Sequence, residues 1–189
     1  MEQIMKKMTL LFVIILTGFS FAQNEAEMKA YMEYLTPGEA HEYLTHAVGE
    51  WDYLLKIWTD PGKEPTSNKG TAKGEMLLGG RFLQISHDGV AWGMPMQAIQ
   101  LFGFDNFKKE FHALWMDNMG TGFSLSTGTM NSVTKNIVMY GSFIDAVQGE
   151  TKFKGVWNFA DLNNHSIKMF TLKDGKEILS WETIYTKKN

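Results

Sequence analysis

Polar and apolar residues alternate along most of the chain that follows Trp51, with an apolar side chain at every second position. In the run 151–160, for example, Phe153, Trp157 and Phe159 share one side while lysines occupy the other. Alternation of this kind is typical of β-strands that bury one face. It predicts about ten short strands, at 51–59, 70–78, 80–87, 96–104, 109–117, 121–129, 135–144, 151–160, 165–172 and 176–186.

The predicted strands are separated by residues that favour turns, such as the pairs Gly79-Gly80, Asp88-Gly89 and Asp174-Gly175. The stretch Trp115 to Gly122 has the Asp, Asn and Gly residues of a hairpin corner, at the centre of the series. Many short antiparallel strands joined in this way indicate an up-and-down β-barrel, since closure leaves no exposed strand edge. A barrel of roughly eight to ten strands is wide enough to hold a small ligand.

Helical signals precede the strands. Residues 24–35 have helical spacing and indicate a short polar helix or a loose arm. The sequence Thr36-Pro37-Gly38-Glu39 resembles a capping box, with Thr36 as the N-cap, and predicts the start of a second helix. Gly49 is expected to end that helix.

The first residues have the features of a secretory signal peptide. Lys6 and Lys7 precede the apolar run 8–18, and Ser20-Phe21-Ala22 places small residues before a cleavage site at Gln23. The alternative is a membrane anchor, but the run is shorter than the roughly 20 residues that a span needs. The sequence therefore predicts a signal peptide at 1–22, an arm at 23–36 and a barrel domain at 37–189, exported to the periplasm or beyond.

Composition limits the function classes. The formal net charge of −3 does not favour nucleic acid or an anionic membrane as a partner, and no stable membrane insertion is expected after cleavage. The absence of cysteine excludes disulfides, thiolate metal sites and thiol catalysis. No serine-nucleophile, phosphate-loop or dinucleotide motif occurs, so the sequence identifies no cofactor and no catalytic residue.

Several motifs follow one another in an order that resembles a known family. They are His41 to Leu44, Gly49-Glu50-Trp51, Trp58 with Pro61-Gly62, Leu78 to Leu83, Gly93-Met94-Pro95, Gly103 to Asn106 and Trp115 to Gly122. This order is similar to that of the bacterial DUF1579 proteins, which have no assigned activity. The resemblance runs from about residue 37 to the C-terminus and implies a lipocalin-like, or calycin, barrel. It leaves the function open.

Two charged residues are candidates for ligand binding. Arg81 begins a predicted strand and could hold a carboxylate of Asp117, of Glu182 or of a ligand; alternatively it is a structural residue bound to backbone carbonyls. Asp117 ends a strand at the central hairpin and could bind a ligand or act as an acid or base, although an aspartate before a turn usually caps backbone amides. Glu182 could face inwards with Ile178 and Ile184, but the opposite face of the strand has the stronger apolar set, so the solvent side is favoured for Glu182.

Aromatic and methionine residues are the other candidates. Trp92 and Met94 lie in the segment 91–96, which is predicted to be an exposed loop that closes the barrel mouth over a ligand. Trp115, with the other tryptophans and methionines, lines an adaptable apolar pocket or forms the barrel core. His87 and His112 could form a two-histidine site, but the sequence supplies no third metal ligand.

These observations favour a barrel that binds a small hydrophobic or amphipathic molecule, with Arg81, Trp92, Met94, Trp115 and Asp117 as the candidate binding residues. Two alternatives remain open. The first is an enzyme that acts on a small molecule at the barrel mouth, which would require convergent polar groups and a strongly shifted pKa. The second is a filled barrel whose outer surface carries an interaction or envelope function.

Overall fold

A computed structural model describes residues 24–60 and 62–188 of the protein. The predicted signal peptide lies outside these residues. Residues 24–35 form helix α1, whose side chains are exposed to solvent. Among the described residues, no helix combines the length and the apolar character needed to cross a bilayer.

Ten strands form one closed antiparallel barrel, in which each strand pairs with its neighbours in the chain and β1 pairs with β10. The strands are β1 (Gly49–Ile57), β2 (Thr66–Leu77), β3 (Phe82–Ala91), β4 (Met94–Asp105), β5 (Glu110–Asp117), β6 (Ser124–Met130), β7 (Ile137–Asp145), β8 (Gly149–Asn158), β9 (Asn164–Lys173) and β10 (Lys176–Lys187). The predicted up-and-down barrel is confirmed.

Successive turns alternate between the two ends of this barrel, because each strand runs antiparallel to the one before it. One end carries the loop between β1 and β2 and the turns 92–93, 118–123, 146–148 and 174–175; we call it the mouth end. The other end carries the turns 78–81, 106–109, 131–136 and 159–163. Helix α2 lies directly before β1 at this second end, which we call the plug end.

Helix α2 covers Glu39–Leu44 and continues into a 3-10 turn at Thr45–Ala47. Its start differs from the predicted capping box. The Thr36 hydroxyl donates to the Met32 carbonyl (2.7 Å), so Gly38 is the N-cap instead. The Gly38 amide donates to His41 Nδ1 (3.1 Å), so the third helical residue caps the helix as a glutamate would in the predicted motif.

Specific hydrogen bonds attach this helical segment to the barrel. Tyr43 Oη accepts a hydrogen bond from the Phe159 amide (3.0 Å) and donates one to the Lys135 carbonyl (2.8 Å). Trp51 Nε1 donates to the Ala47 carbonyl (3.1 Å). Hydrogen bonds between side chains and backbone groups therefore hold the helical segment over the plug end.

Large apolar side chains form a packed layer at the plug end. The fully buried members are Leu44, Trp51, Leu83, Phe102, Phe111, Ile137, Met139, Trp157 and Phe159. Aromatic rings meet edge to face within this layer, for example Phe102 with Trp157, whose ring centroids are 5.9 Å apart. This half of the interior is a packed core, and any open space must lie nearer the mouth.

Two glycines make room for one aromatic side chain in the barrel wall. Gly70 and Gly89 face each other across β2 and β3, and Tyr53 pairs with Gly70 from β1. A Cβ atom on either glycine would collide with the phenol of Tyr53. The ring of Tyr53 therefore lies against the sheet over the two glycines. No residue type other than glycine fits at positions 70 and 89.

We expect Gly89→Ala to destabilise the protein by about 1 to 3 kcal/mol, because the added methyl group must displace the Tyr53 ring from a packed wall. Urea unfolding followed by circular dichroism measures this change. Gly120→Ala is the matched control, because nothing lies within 4 Å of the Cβ that it adds. Equal stabilities for the two variants would contradict the proposed fit.

Candidate functional site

A cavity of about 710 Å³ occupies the mouth half of the barrel interior. This volume is within the usual range for sites that bind small molecules. Its walls are mainly apolar, and aromatic and methionine side chains form much of them: Tyr53, Met96, Trp115, Met119, Phe143, Phe153, Trp157, Met169 and Trp181. The open half of the barrel is therefore hollow, unlike the plug half.

The space is open because small inward-facing residues replace large ones at this level. Ala91, Ala113 and Ser126 point into the cavity from β3, β5 and β6. Ala113 and Ser126 also face each other across the strand pair β5–β6. These short side chains leave a volume that the opposite wall does not fill.

Polar side chains lie among these apolar walls. His87 Nε2 and Tyr185 Oη share a buried hydrogen bond (2.9 Å), and the ring of Tyr53 lies 5.9 Å from both rings. Tyr53 Oη and Gln100 Oε1 are buried and have no hydrogen-bond partner within the part of the chain that the structure describes. Buried polar atoms without partners cost stability, and they often mark a functional site.

Burial keeps these ionisable groups uncharged. It lowers the pKa of His87 from 6.5 to about 4, against a smaller opposing effect of the Ile85 backbone. Burial also raises the pKa of Tyr185 far above its usual range and raises that of Tyr53. At neutral pH this group of side chains therefore consists of a neutral imidazole and two neutral phenols.

Asp117 lies at the rim of the cavity and is held in place by two hydrogen bonds. Its Oδ2 accepts from Trp115 Nε1 (2.6 Å), and its Oδ1 accepts from the Met119 amide (2.9 Å). The second bond is the cap on a backbone amide that an aspartate before a turn usually forms. This cap was the alternative to ligand binding predicted for Asp117 from the sequence. The first bond orients the Trp115 indole, which also contacts His87 at 5.3 Å between ring centroids.

Trp92 forms part of the same rim, but not in a loop of the predicted length. Residues 92 and 93 make a two-residue hairpin turn in which Trp92 has φ +50° and Gly93 has φ +78°. A positive φ at both central residues is what a type I′ hairpin turn requires, although it is uncommon for a residue as bulky as tryptophan. Trp92 lines the cavity although its side chain is 55% exposed.

The structure brings together some of the five predicted binding residues and separates others. Trp92, Trp115 and Asp117 line the cavity. Met94 lies at the same end, at the start of β4, but it does not line the cavity and is half exposed to solvent. Arg81 lies at the plug end, where its Nη1 donates to the Leu78 and Gly79 carbonyls (3.2 and 3.4 Å).

The expected grouping of Arg81 with the mouth residues is therefore wrong. Its hydrogen bonds to backbone carbonyls are those expected if Arg81 is a structural residue, which was the alternative to carboxylate binding. The sequence contained a signal for this result. In an up-and-down meander the second turn and the third turn lie at opposite ends. Arg81 belongs to the second turn and Trp92 to the third, while Asp117 precedes the fifth and so shares an end with Trp92.

Of the other charged and metal-binding candidates, Glu182 and His112 lie outside the cavity, and His87 lies inside it. Glu182 faces outwards and forms ion pairs with Lys56 (3.7 Å) and Lys168 (3.4 Å). His112 also faces outwards, 3.3 Å from Glu110, while His87 points inwards two strands away. Within residues 24–60 and 62–188, no group of three or more histidine, aspartate or glutamate side chains could hold a metal ion.

Sequence reasoning missed most of the polar residues of the cavity. They are Tyr53, Gln100, Ser126, Thr183 and Tyr185. Each stands at an inward position of a predicted strand, so the period-two pattern could have identified them as polar residues on the buried face. A polar residue at such a position is more informative than an aromatic residue there, because apolar burial is the ordinary case.

Comparisons with known proteins agree with the fold. The sequence model of DUF1579, described as a protein of unknown function, matches residues 36–187. No curated protein matches the chain. A solved S-type phycobiliprotein lyase from Guillardia theta is similar in structure, with a TM-score of 0.55, 10% identity, and coverage of 84% of this chain and 97% of the lyase. A redesigned β-barrel gives a TM-score of 0.40 at 10% identity, with 78% and 96% covered.

At this level of identity the similarity to the lyase shows the fold alone.

The low pKa of His87 predicts that the protein loses stability in mild acid. The folded histidine binds a proton only near pH 4, whereas in the unfolded chain it does so near 6.5, so the unfolded state gains protons first as the pH falls. Lowering the pH from 7 to 5 should reduce the free energy of unfolding of the wild type by about 2 kcal/mol more than that of His87→Gln. Urea titrations of both proteins at the two pH values measure the difference, and equal losses would contradict a buried neutral imidazole.

Proposed function

The chain belongs to the DUF1579 family, and on that premise we propose that it is an exported barrel protein that binds a small apolar or amphipathic molecule in its cavity. The observation that carries this proposal is the hollow mouth half, which has about 710 Å³ of space within mainly apolar walls. Exposing apolar walls to water is unfavourable, and a ligand that covers them gains the corresponding free energy.

The distribution of side chains supports binding over a filled barrel. One end of the interior is packed with large residues, while Ala91, Ala113 and Ser126 leave the other end open. A barrel that served only as a rigid support would be most stable with both halves filled, because cavities cost stability. The open half therefore suggests that a ligand occupies it.

The cavity has the convergent polar groups and the strongly shifted pKa that an enzyme would require, but the direction of the shift at His87 supports binding over acid–base catalysis. The neutral His87 has a pKa of about 4, so near neutral pH it is a weak base and a poor acid. The Asp117 carboxylate is already engaged by Trp115 and by the Met119 amide. These polar groups are suited to orient a bound molecule through hydrogen bonds.

The first experiment is native mass spectrometry of the mature protein, purified from the compartment in which it accumulates. We expect a retained small molecule whose mass identifies its class. The apolar dye N-phenyl-1-naphthylamine should also bind to the ligand-free protein, with an increase in its fluorescence. Absence of both a retained molecule and dye binding would contradict the proposed function.

A cavity-filling variant locates the binding. We expect Ser126→Phe to weaken dye binding at least tenfold, because its ring would occupy the part of the cavity beside Ala113. Thr127→Phe is the matched control, since the neighbouring residue is exposed on the outer face of the same strand. Circular dichroism checks folding, and Ala113→Leu is a smaller filling variant at the facing position. Unchanged affinity in both folded cavity variants would contradict binding in the cavity.

Export is supported by the N-terminal sequence, in which two lysines precede an apolar run and small residues flank the expected cleavage site. We expect expression of the full-length chain in its native host to yield an envelope or extracellular protein that begins at Gln23. Intact-mass measurement of that fraction gives the cleavage position. A full-length cytoplasmic protein would contradict export without affecting the binding proposal.

A further inference from the structure

The charged side chains that line the cavity all have the same sign. Among the described residues, none that line the cavity is a lysine or an arginine. The carboxylates that line it are Asp117 and Asp145, at the mouth ends of β5 and β7. Two backbone amides, those of Val147 and Gln148, donate to Asp145 (both 2.8 Å) and lower its pKa, so it remains ionised.

The polar groups deeper in the cavity are neutral hydrogen-bonding groups. Gln100, Ser126 and Thr183 carry no charge at any pH relevant here, and burial keeps His87 and Tyr185 uncharged. An anion that entered this space would lose its hydration without meeting a cation. Transfer of an unpaired charge into an apolar interior is strongly unfavourable, whereas a neutral polar group can be hydrogen-bonded there.

Among the described residues, the basic residues of the mouth end lie in its loops and at strand positions outside the cavity lining. Lys63 pairs with Asp60 (2.8 Å), and Lys173 and Lys176 are exposed beside the turn 174–175. Solvent and salt screen such exposed charges from groups inside the barrel. They therefore do not replace the missing cation within the cavity.

We propose that this cavity selects amphiphiles whose head group carries no negative charge, such as long-chain alcohols, amides or amines, and discriminates against carboxylates and phosphates. The inference rests on the proposed binding function and narrows its ligand class. It follows from the rim of two aspartates, the neutral polar interior and the apolar walls. An amine head group at the mouth would meet Asp117 and Asp145, and a neutral head group would meet no opposing charge.

Three probes with the same twelve-carbon chain test the selectivity: dodecylamine, dodecan-1-ol and dodecanoate. The two charged probes are used below their critical micelle concentrations and dodecan-1-ol below its aqueous solubility, at pH 7.5, to displace N-phenyl-1-naphthylamine from the wild-type protein. We expect dodecylamine and dodecan-1-ol to displace the dye, and dodecanoate to bind at least tenfold more weakly than dodecylamine. Because dodecylamine and dodecanoate are both charged, a difference between them does not arise from the greater ease of burying an uncharged molecule.

The outcomes separate the two proposals. If dodecanoate binds as tightly as dodecylamine, or if no probe displaces a bound dye, the selectivity is overturned while the binding function stands. If the dye itself does not bind and the purified protein retains no molecule, the binding function fails first.

A charge introduced into the cavity should reverse the preference. We expect Gln100→Arg to strengthen dodecanoate binding at least tenfold and to weaken dodecylamine binding, because it supplies the missing cation. Gln97→Arg is the matched control, since Gln97 is exposed on the outer face of the same strand. If Gln100→Arg does not fold, Ser126→Lys with Thr127→Lys repeats the comparison. Unchanged selectivity in a folded cavity variant would overturn the proposal.

Discussion

Closure of ten strands into a ring is the constraint on which the rest of this structure depends. Pairing of β1 with β10 satisfies the edges of the sheet and fixes the width of the interior. Side chains of ordinary size fill such a width only where large residues meet from opposite walls. They do so at the plug end, where Trp51, Phe102 and Trp157 are buried. At the mouth end, alanine and serine take their place and the interior stays open.

The buried polar groups of the open half reduce stability, and on the proposed function they would also confer selectivity. An apolar residue in place of Gln100 or His87 would avoid burying atoms that need hydrogen bonds. Proteins retain such groups where they distinguish one ligand from another. The His87–Tyr185 hydrogen bond joins β3 to β10 through the interior, so it also fixes the positions of two side chains that a ligand would meet.

The alternation of residues was sufficient to predict the strands, their order and the barrel, because burial of one face imposes a period of two on the sequence. Trp92, Trp115 and Asp117 line the cavity, and their role in ligand binding stays a prediction. Arg81 was placed at the wrong end because its residue type was considered before the direction of its strand. Contacts such as that between His87 and Tyr185 join residues far apart in sequence, and neither period nor local motif determines them. The helix start moved from Thr36 to Gly38 because the Thr36 hydroxyl binds the preceding turn.

The plug formed by α2 and the aromatic layer gives the hollow a direction. Among the described residues, the lining includes members of three mouth turns and none of the turns of the plug end, so the hollow opens towards the mouth. On the proposed function, an elongated molecule would enter and leave along the same path, and the part that enters first would leave last. The aromatic floor would limit its depth of insertion, and a chain longer than the hollow would project into solvent. A barrel of this shape would distinguish ligands by length as well as by polarity.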